Sequence, residues 1–194
     1  LSVPSVPDWA RPERISASGF RGAVFHTARW RHEIDLRGRR VAVVGTGASA
    51  VQVVPEIVDD VEHLLVVQRS ARYVLARPDA AYGSRHRSLP GYTALARSTI
   101  WAVFELFTLA FWRFPRAMTL MRRLFLRQLR SAVPDPGLRA VLTPDHEIGC
   151  KRITVSSDWY PALQRPHVDL VTDTVDRLDE HGLVIGGRSH AVDV

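Results

Sequence analysis

The chain has 194 residues, 46% hydrophobic and 24% charged, enough for one domain with a real core and a small appendage. A single cysteine, Cys150, excludes an intramolecular disulfide framework and a redox cysteine pair within these residues. Net charge is +6, from 26 basic and 20 acidic residues, which suits an anionic ligand or an acidic surface; without a helix-turn-helix, zinc or RNA-binding pattern it does not indicate nucleic acid.

The opening Leu1-Ser2-Val3-Pro4 lacks the charged and long apolar regions of a signal peptide, so the cytoplasm is the expected compartment. Pro4, Pro7 and Pro12 predict extended or turn structure up to residue 12, followed by a polar loop from Arg14 to Gly22. A short apolar segment, Ala23 to Trp30, then carries one imidazole, His26. A partly buried histidine with its ring nitrogens satisfied is the commoner meaning of such a residue.

The next stretch organises the rest. Arg39-Arg40 precede Val41-Ala42-Val43-Val44, which reads as a strand buried on both faces. It runs directly into Gly45-x-Gly47-x-x-Ala50, and an apolar helical pattern follows at Val51, Val54 and Val58. In a nucleotide site each small residue has a task. Gly45 allows the tight turn, Gly47 lets backbone approach a pyrophosphate, and Ala50 lets helix pack close to strand. The pyrophosphate then sits on the unpaired N–H groups at the helix N-terminus. A glycine turn that merely joins strand to helix is the alternative, and the flanking strand and helix weigh against it. The candidate cofactor-binding residues here are Gly45, Thr46, Gly47, Ala48, Ser49, Ala50 and Gln52.

Leu64-Leu65-Val66-Val67 reads as the second strand of a βαβ unit. At its end, roughly 20 residues past the glycines, an NAD site usually carries an acid for the ribose hydroxyls. Here the residues are Gln68-Arg69-Ser70. A guanidinium can grip a 2′-phosphate with a planar fork of donors and Ser70 can add a hydroxyl, which favours NADP over NAD. The alternative for Arg69 is a solvated surface arginine.

Arg77 to Pro90 is a predicted loop, and Ala94 to Leu129 a long helical region broken at Pro115. Its run Ile100 to Trp112 is shorter than a membrane span and carries Glu105. Beyond it, Arg116 to Arg130 reads as a basic amphipathic helix, with Arg122, Arg123, Arg127 and Arg130 set against Leu120, Leu124, Phe125 and Leu129. Such a helix can lie on an anionic membrane surface. A helical insertion whose apolar face packs on its own domain and on a partner domain is the preferred reading, because aromatic-rich helices more often belong to cores. Pro134-Asp135-Pro136 ends the helices, and a short helix from Gly137 to Leu142 leads into an irregular loop holding Lys151-Arg152. By composition alone that pair is either a solvated dipeptide or a functional pair: an ammonium suited to a phosphate, a guanidinium suited to an oxyanion. Val168 to Val171, Val175 to Leu178 and Leu183 to Ile185 read as short strands, the last two joined as a hairpin across Glu180-His181-Gly182.

Several of these stretches together resemble one family. Phe20-x-Gly22-x-x-x-His26-x-x-x-Trp30 is similar to the F-x-G-x-x-x-H-x-x-x-W-(P/D) fingerprint of Baeyer–Villiger monooxygenases, with Arg31 where the family has Pro or Asp. Gln68-Arg69-Ser70-Ala71-Arg72-Tyr73-Val74 resembles the family's Q-R-T-x-x-W-V, and Gly149-x-Lys151-Arg152 resembles its G-x-K-R-P, with Ile153 for the proline. The resemblance implies a flavin-dependent enzyme that uses NADPH and O2 to insert oxygen beside a ketone carbonyl or to oxygenate a heteroatom. It implies that Phe20, Gly22, His26 and Trp30 couple the FAD and NADP domains, and that Lys151 contacts the NADP phosphate. It also implies that Arg152 is the catalytic residue, stabilising the flavin peroxide. The family's first glycine fingerprint and its closing A-T-G motif are absent, so the resemblance covers nearly all of the chain but only the middle of the family.

The expected fold is α/β: a Rossmann-like NAD(P)-binding domain with a parallel sheet, a helical insertion and a small β-hairpin or meander. Residues 1–38 are the expected interdomain linker and 39–194 the NADP-binding domain, with the insertion at about 90–142. The expected cofactors are NADP(H) and FAD, the latter bound mainly by chain segments absent here. The expected partners are the FAD-binding domain of the same enzyme and a small ketone or sulfide, with no metal. The alternatives are a stand-alone NADP-binding module without catalysis and a protein attached to a membrane surface by the 100–130 helices.

Overall fold

A computed structural model of the chain describes residues 19–76 and 91–194. The proline-rich opening and the loop expected at 77–90 lie outside the described residues. Strands β1 (Arg40–Val44), β2 (His63–Val67) and β5 (Val168–Val171) form a parallel sheet in the order β1-β2-β5. Its register pairs Val41 with Leu64 and Leu64 with Val168. Helix α1 (Ala48–Ile57) joins β1 to β2. Strands β3 (Val74–Leu75) and β4 (Thr154–Val155) make a separate two-stranded parallel ribbon. Between them run α2 (Tyr92–Arg113), α3 (Pro115–Ala132) and α4 (Pro136–Leu142), and α5 (Trp159–Leu163) follows β4. Strands β6 (Val175–Asp179), β7 (Gly182–Ile185) and β8 (Arg188–Ala191) form an antiparallel meander.

The alternation of β2 builds the layers. Leu64 and Val66 point to a core shared with Val51, Val54 and Ile57 of α1, Phe125 and Leu129 of α3, and Trp159 and Leu163 of α5. Leu65 and Val67 point the other way, to Leu178, Leu183 and Ile185 of the meander. Successive strand residues face opposite sides, so a strand covered on both must be apolar throughout, and Leu64 to Val67 are all buried. The Rossmann-like α/β class with its insertion and meander is therefore the architecture observed.

Local chemistry sets the breaks. Pro115 opens α3 at a position where a missing N–H is harmless. Asp135 caps α4, its carboxylate accepting from the N–H groups of Gly137 at 3.1 Å and Leu138 at 3.0 Å.

Three features depart from the sequence reading. Strand β1 is not buried on both faces: Val41 is, but Val44 is 53% exposed, because it stands at the open end of the sheet beside the glycine turn. In α3 the core face is Phe125 and Leu129 with Met118 and Met121, whereas Leu120 and Leu124 turn to solvent at 56% and 52% exposure. The helix α5 and the strands β3, β4 and β8 were not anticipated. Two-residue strands and a five-residue helix are too short to show a period.

The chain's last residues close the free edge of β1. Ala42 N–H donates to the Val194 carbonyl at 2.8 Å and Val194 N–H to that of Arg40 at 3.3 Å, the pattern of a parallel bridge. Asp193 locks it: its carboxylate accepts from the Arg40 backbone N–H at 2.9 Å and from the guanidinium Nη2 at 2.6 Å and Nε at 3.2 Å. The Arg40 side-chain hydrogen bonds, the leading cause, hold this carboxyl below the usual carboxylate range. A group whose folded pKa is depressed stabilises the fold above its unfolded pKa, and the gain fades as pH falls through the folded value. Asp193→Asn is therefore expected to lower Tm at pH 7, and the gap from wild type to close below about pH 4. A gap of constant size from neutral to acid pH in thermal melts contradicts this.

Candidate functional site

The strand β1 runs out at Val44 and the chain turns at Gly45, whose φ of +103° favours glycine. Gly45 N–H donates to the Val67 carbonyl at 2.8 Å, tying the turn to the end of β2. Gly47 needs no unusual backbone, since its φ is −75°. A Cβ there would meet nothing within 4 Å, so what a side chain would occupy is open space in front of the helix. Helix α1 starts at Ala48 with no side-chain cap, and its first internal bond is Val51 N–H to Gly47 carbonyl at 3.0 Å. The N–H groups of Ala48, Ser49 and Ala50 lie ahead of that bond without a partner among the described residues. Such a terminus carries positive potential and free donors together, which is how a helix receives a phosphate. Ala50 is buried against the sheet, while Ala48, Ser49 and Gln52 are exposed; the Gln52 amide donates back to the Ala48 carbonyl at 2.8 Å.

Thr46 behaves differently from its neighbours. It is 6% exposed, and its hydroxyl donates to the Ser70 carbonyl at 3.3 Å. Its side chain thus braces the stretch after β2 and does not face the open space. Gln68 is a second brace: it is buried, and its amide donates to the Val141 carbonyl at 2.7 Å.

The ribbon of β3 and β4 brings the distant cation in. Val74 pairs with Thr154 and Leu75 with Val155, so the residues just before each strand run side by side. Tyr73 fixes the approach. Its buried ring packs edge-on against Phe125, its hydroxyl donates to the His146 carbonyl at 2.7 Å, and its own carbonyl accepts from Thr154 N–H at 3.0 Å. Tyr160, whose hydroxyl burial keeps protonated, donates to the Val74 carbonyl at 3.2 Å. The result is a contact 81 positions apart in sequence: Lys151 Nζ donates to Ser70 Oγ at 2.9 Å. Arg69 and Arg152 are each adjacent in sequence to one member of this pair and are exposed, with no ion pair among the described residues. Among the described residues no group of His, Cys, Asp and Glu is arranged to hold a metal ion. Sequence reasoning named Thr46 as a cofactor-binding candidate and Gln68 and Tyr73 within a motif but did not foresee their bracing roles, and it missed Thr154; burial of a polar group, which a sequence does not display, is what marks them.

The fingerprint around His26 wraps the β1 edge. Phe20 packs against the core under the meander and Trp30 against the core under the helices. Gly22 lies where any Cβ would collide with the Asp193 carbonyl and the Phe20 ring. His26 Nδ1 accepts from Ala28 N–H at 3.0 Å, capping a single helical turn, Thr27–Arg29, and Phe25 meets Trp30 edge-on at 5.3 Å. The structure thus sets Gly22 against Asp193 at the sheet edge and packs Phe20 and Trp30 on the two cores; no described contact ties His26 to the glycine turn or to Lys151.

Removing the Thr46 hydroxyl leaves the Ser70 carbonyl without its donor. Thr46→Val is expected to destabilise the chain by about 1 kcal/mol in urea melts, and Thr46→Ser to restore most of that. Equal stability of the two variants contradicts the bracing role.

Comparison with known proteins agrees with this geometry. Residues 4–85 match the family described as flavin-binding monooxygenase-like. A Baeyer–Villiger monooxygenase of Streptomyces coelicolor is 42% identical over 195 residues, covering 98% of this chain and 37% of its own length. Among solved structures, an oxidised steroid monooxygenase bound to NADP superposes with a TM-score of 0.74 at 29% identity, over 100% of this chain and 43% of that one. OTEMO in complex with FAD and NADP shares the fold at a TM-score of 0.79 and 22% identity, over 100% of this chain and 44% of that one. The chain spans little more than a third of the length of curated relatives it matches. Glycine turn, motif order and relatives converge: residues 4–85 match the flavin-binding monooxygenase-like family, and nearly the whole chain is similar to a segment of Baeyer–Villiger monooxygenases.

Proposed function

We propose that this chain is the NADP(H)-binding part of a flavin-dependent monooxygenase that carries out Baeyer–Villiger oxidation of a ketone or oxygenation of a heteroatom. The observation that supports it best is the Lys151–Ser70 hydrogen bond at 2.9 Å. It sets an ammonium against Ser70, the residue after Arg69, near the end of β2, where a Rossmann-like fold meets the ribose of its dinucleotide.

The residues fit the group. The free N–H groups at the start of α1 suit the pyrophosphate, and the space before Gly47 leaves it room. Lys151, Ser70 and Arg69 suit the 2′-phosphate: a point charge, a hydroxyl and a planar fork of donors. The residues that follow β2, Gln68, Arg69 and Ser70, include no acid to favour an unphosphorylated ribose. When bound, NADPH supplies a hydride and FAD the oxygen chemistry, while the protein supplies binding and orientation. Arg152 is the residue of this chain proposed to act on the reacting atoms, through a guanidinium that can hold an oxyanion. Residues 19–38, carrying Phe20, Gly22, His26 and Trp30, are the proposed coupling to an FAD-binding domain, and the ketone or sulfide substrate would be held between the two.

Titration of the chain with NADP and with NAD tests the cofactor reading. NADP is expected to bind tighter by tenfold or more. Arg69→Ala and Lys151→Ala should each remove about 1–3 kcal/mol of NADP affinity and little of the NAD affinity, the range for a charged hydrogen bond. Equal affinity for the two dinucleotides refutes the assignment.

A further inference from the structure

Helices α2 and α3 carry a charge that the cofactor reading does not use. Over residues 92–132 there are seven arginines and one acid, Glu105. That leaves 19 basic and 19 acidic residues elsewhere, so the +6 of the whole chain is the charge of these two helices.

In α3 the charge has a face. Met118, Met121, Phe125 and Leu129 follow one another at steps of three and four residues and pack on the core. The opposite side presents Arg116, Leu120, Arg123, Leu124, Arg127 and Arg130, all exposed. None of those four arginines has an acidic partner among the described residues. Beside α3, α2 exposes Trp101 at 65% and Phe104 at 67%. An outer face of α3 that mixes unpaired guanidinium groups with bare leucines, beside a helix that exposes aromatic rings, suits one kind of cover especially well. A protein surface laid over it would have to supply an acid for each arginine or leave a charge buried. A bilayer of acidic lipids offers phosphates everywhere and an apolar layer just beneath, where tryptophan and leucine settle. No helix among the described residues is long and apolar enough to cross a membrane, so the attachment lies in the interface plane.

We propose that the outer face of α3, with the exposed aromatic residues of α2, docks this protein on an anionic lipid bilayer. The inference is independent of the dinucleotide reading, since none of these residues belongs to that site.

The test is co-sedimentation of the 194-residue chain with vesicles of phosphatidylcholine, alone or mixed with phosphatidylglycerol. Binding is expected only to the mixed vesicles and is expected to fade at high salt. Changing Arg116, Arg123, Arg127 and Arg130 together to Gln should lower partitioning more than a hundredfold, at roughly fivefold per arginine. A matched variant, with Arg21, Arg37, Arg177 and Arg188 changed to Gln, should lose far less. Trp101→Ser with Phe104→Ser should weaken binding even at low salt. Circular dichroism shows whether each variant keeps its fold. Three outcomes overturn the proposal: no binding to the mixed vesicles, equal binding to neutral ones, or self-association of the chain that the Trp101 and Phe104 changes abolish.

Discussion

The constraint on which the architecture depends is the burial of β2 on both sides. Four consecutive apolar residues, Leu64 to Val67, leave the strand no face for water, so two different covers must be found. One is the helical layer of α1, α3 and α5, the other the antiparallel meander. The candidates that follow β1 and β2 take their position from this arrangement. The parallel strands deliver their carboxyl ends to one side of the sheet, where ligands bind in open α/β folds. Gly45 follows β1 there and Arg69 and Ser70 follow β2 there.

The site is completed from far away along the chain by very little regular structure. Two pairs of residues, Val74 with Thr154 and Leu75 with Val155, carry the ribbon that sets Lys151 against Ser70. The helices α2 to α4 lie between the two strands in sequence. Tyr73 stiffens the short ribbon by using its ring, hydroxyl and carbonyl on three different segments. An ammonium is thereby held at the end of β2, against the segment that carries Arg69, a placement that suits an incoming anion.

Local features were legible in the sequence and distant ones were not. The glycine turn could be read because strand, turn and helix lie within about 20 residues and each follows its own period. The break at Pro115 and the cap at Asp135 could be read for the same reason. That Lys151 meets Ser70 has no local sign, and only the resemblance to a family pointed there. Thr46 illustrates the limit. It stands inside the glycine pattern and shares its expected role, yet its side chain turns inward to the Ser70 carbonyl. Leu120 and Leu124 show the converse: a helix with apolar residues on two sides offers two candidate core faces, and only the packing of Phe125 and Leu129 decides between them.

The bridge between Asp193 and Arg40 joins residues 153 positions apart. Until it forms, β1 has unpaired backbone groups along one side, open to any other extended strand. During synthesis the glycine turn and α1 emerge long before residue 193 does. The nascent domain must therefore wait with an unguarded edge while more than a hundred residues are added, and long-range pairing of this kind is slow to assemble. The Lys and Arg pairs that flank sheet strands elsewhere as gatekeepers have a counterpart here in Arg39 and Arg40, two like charges at the mouth of β1 that discourage a second copy from adding itself there.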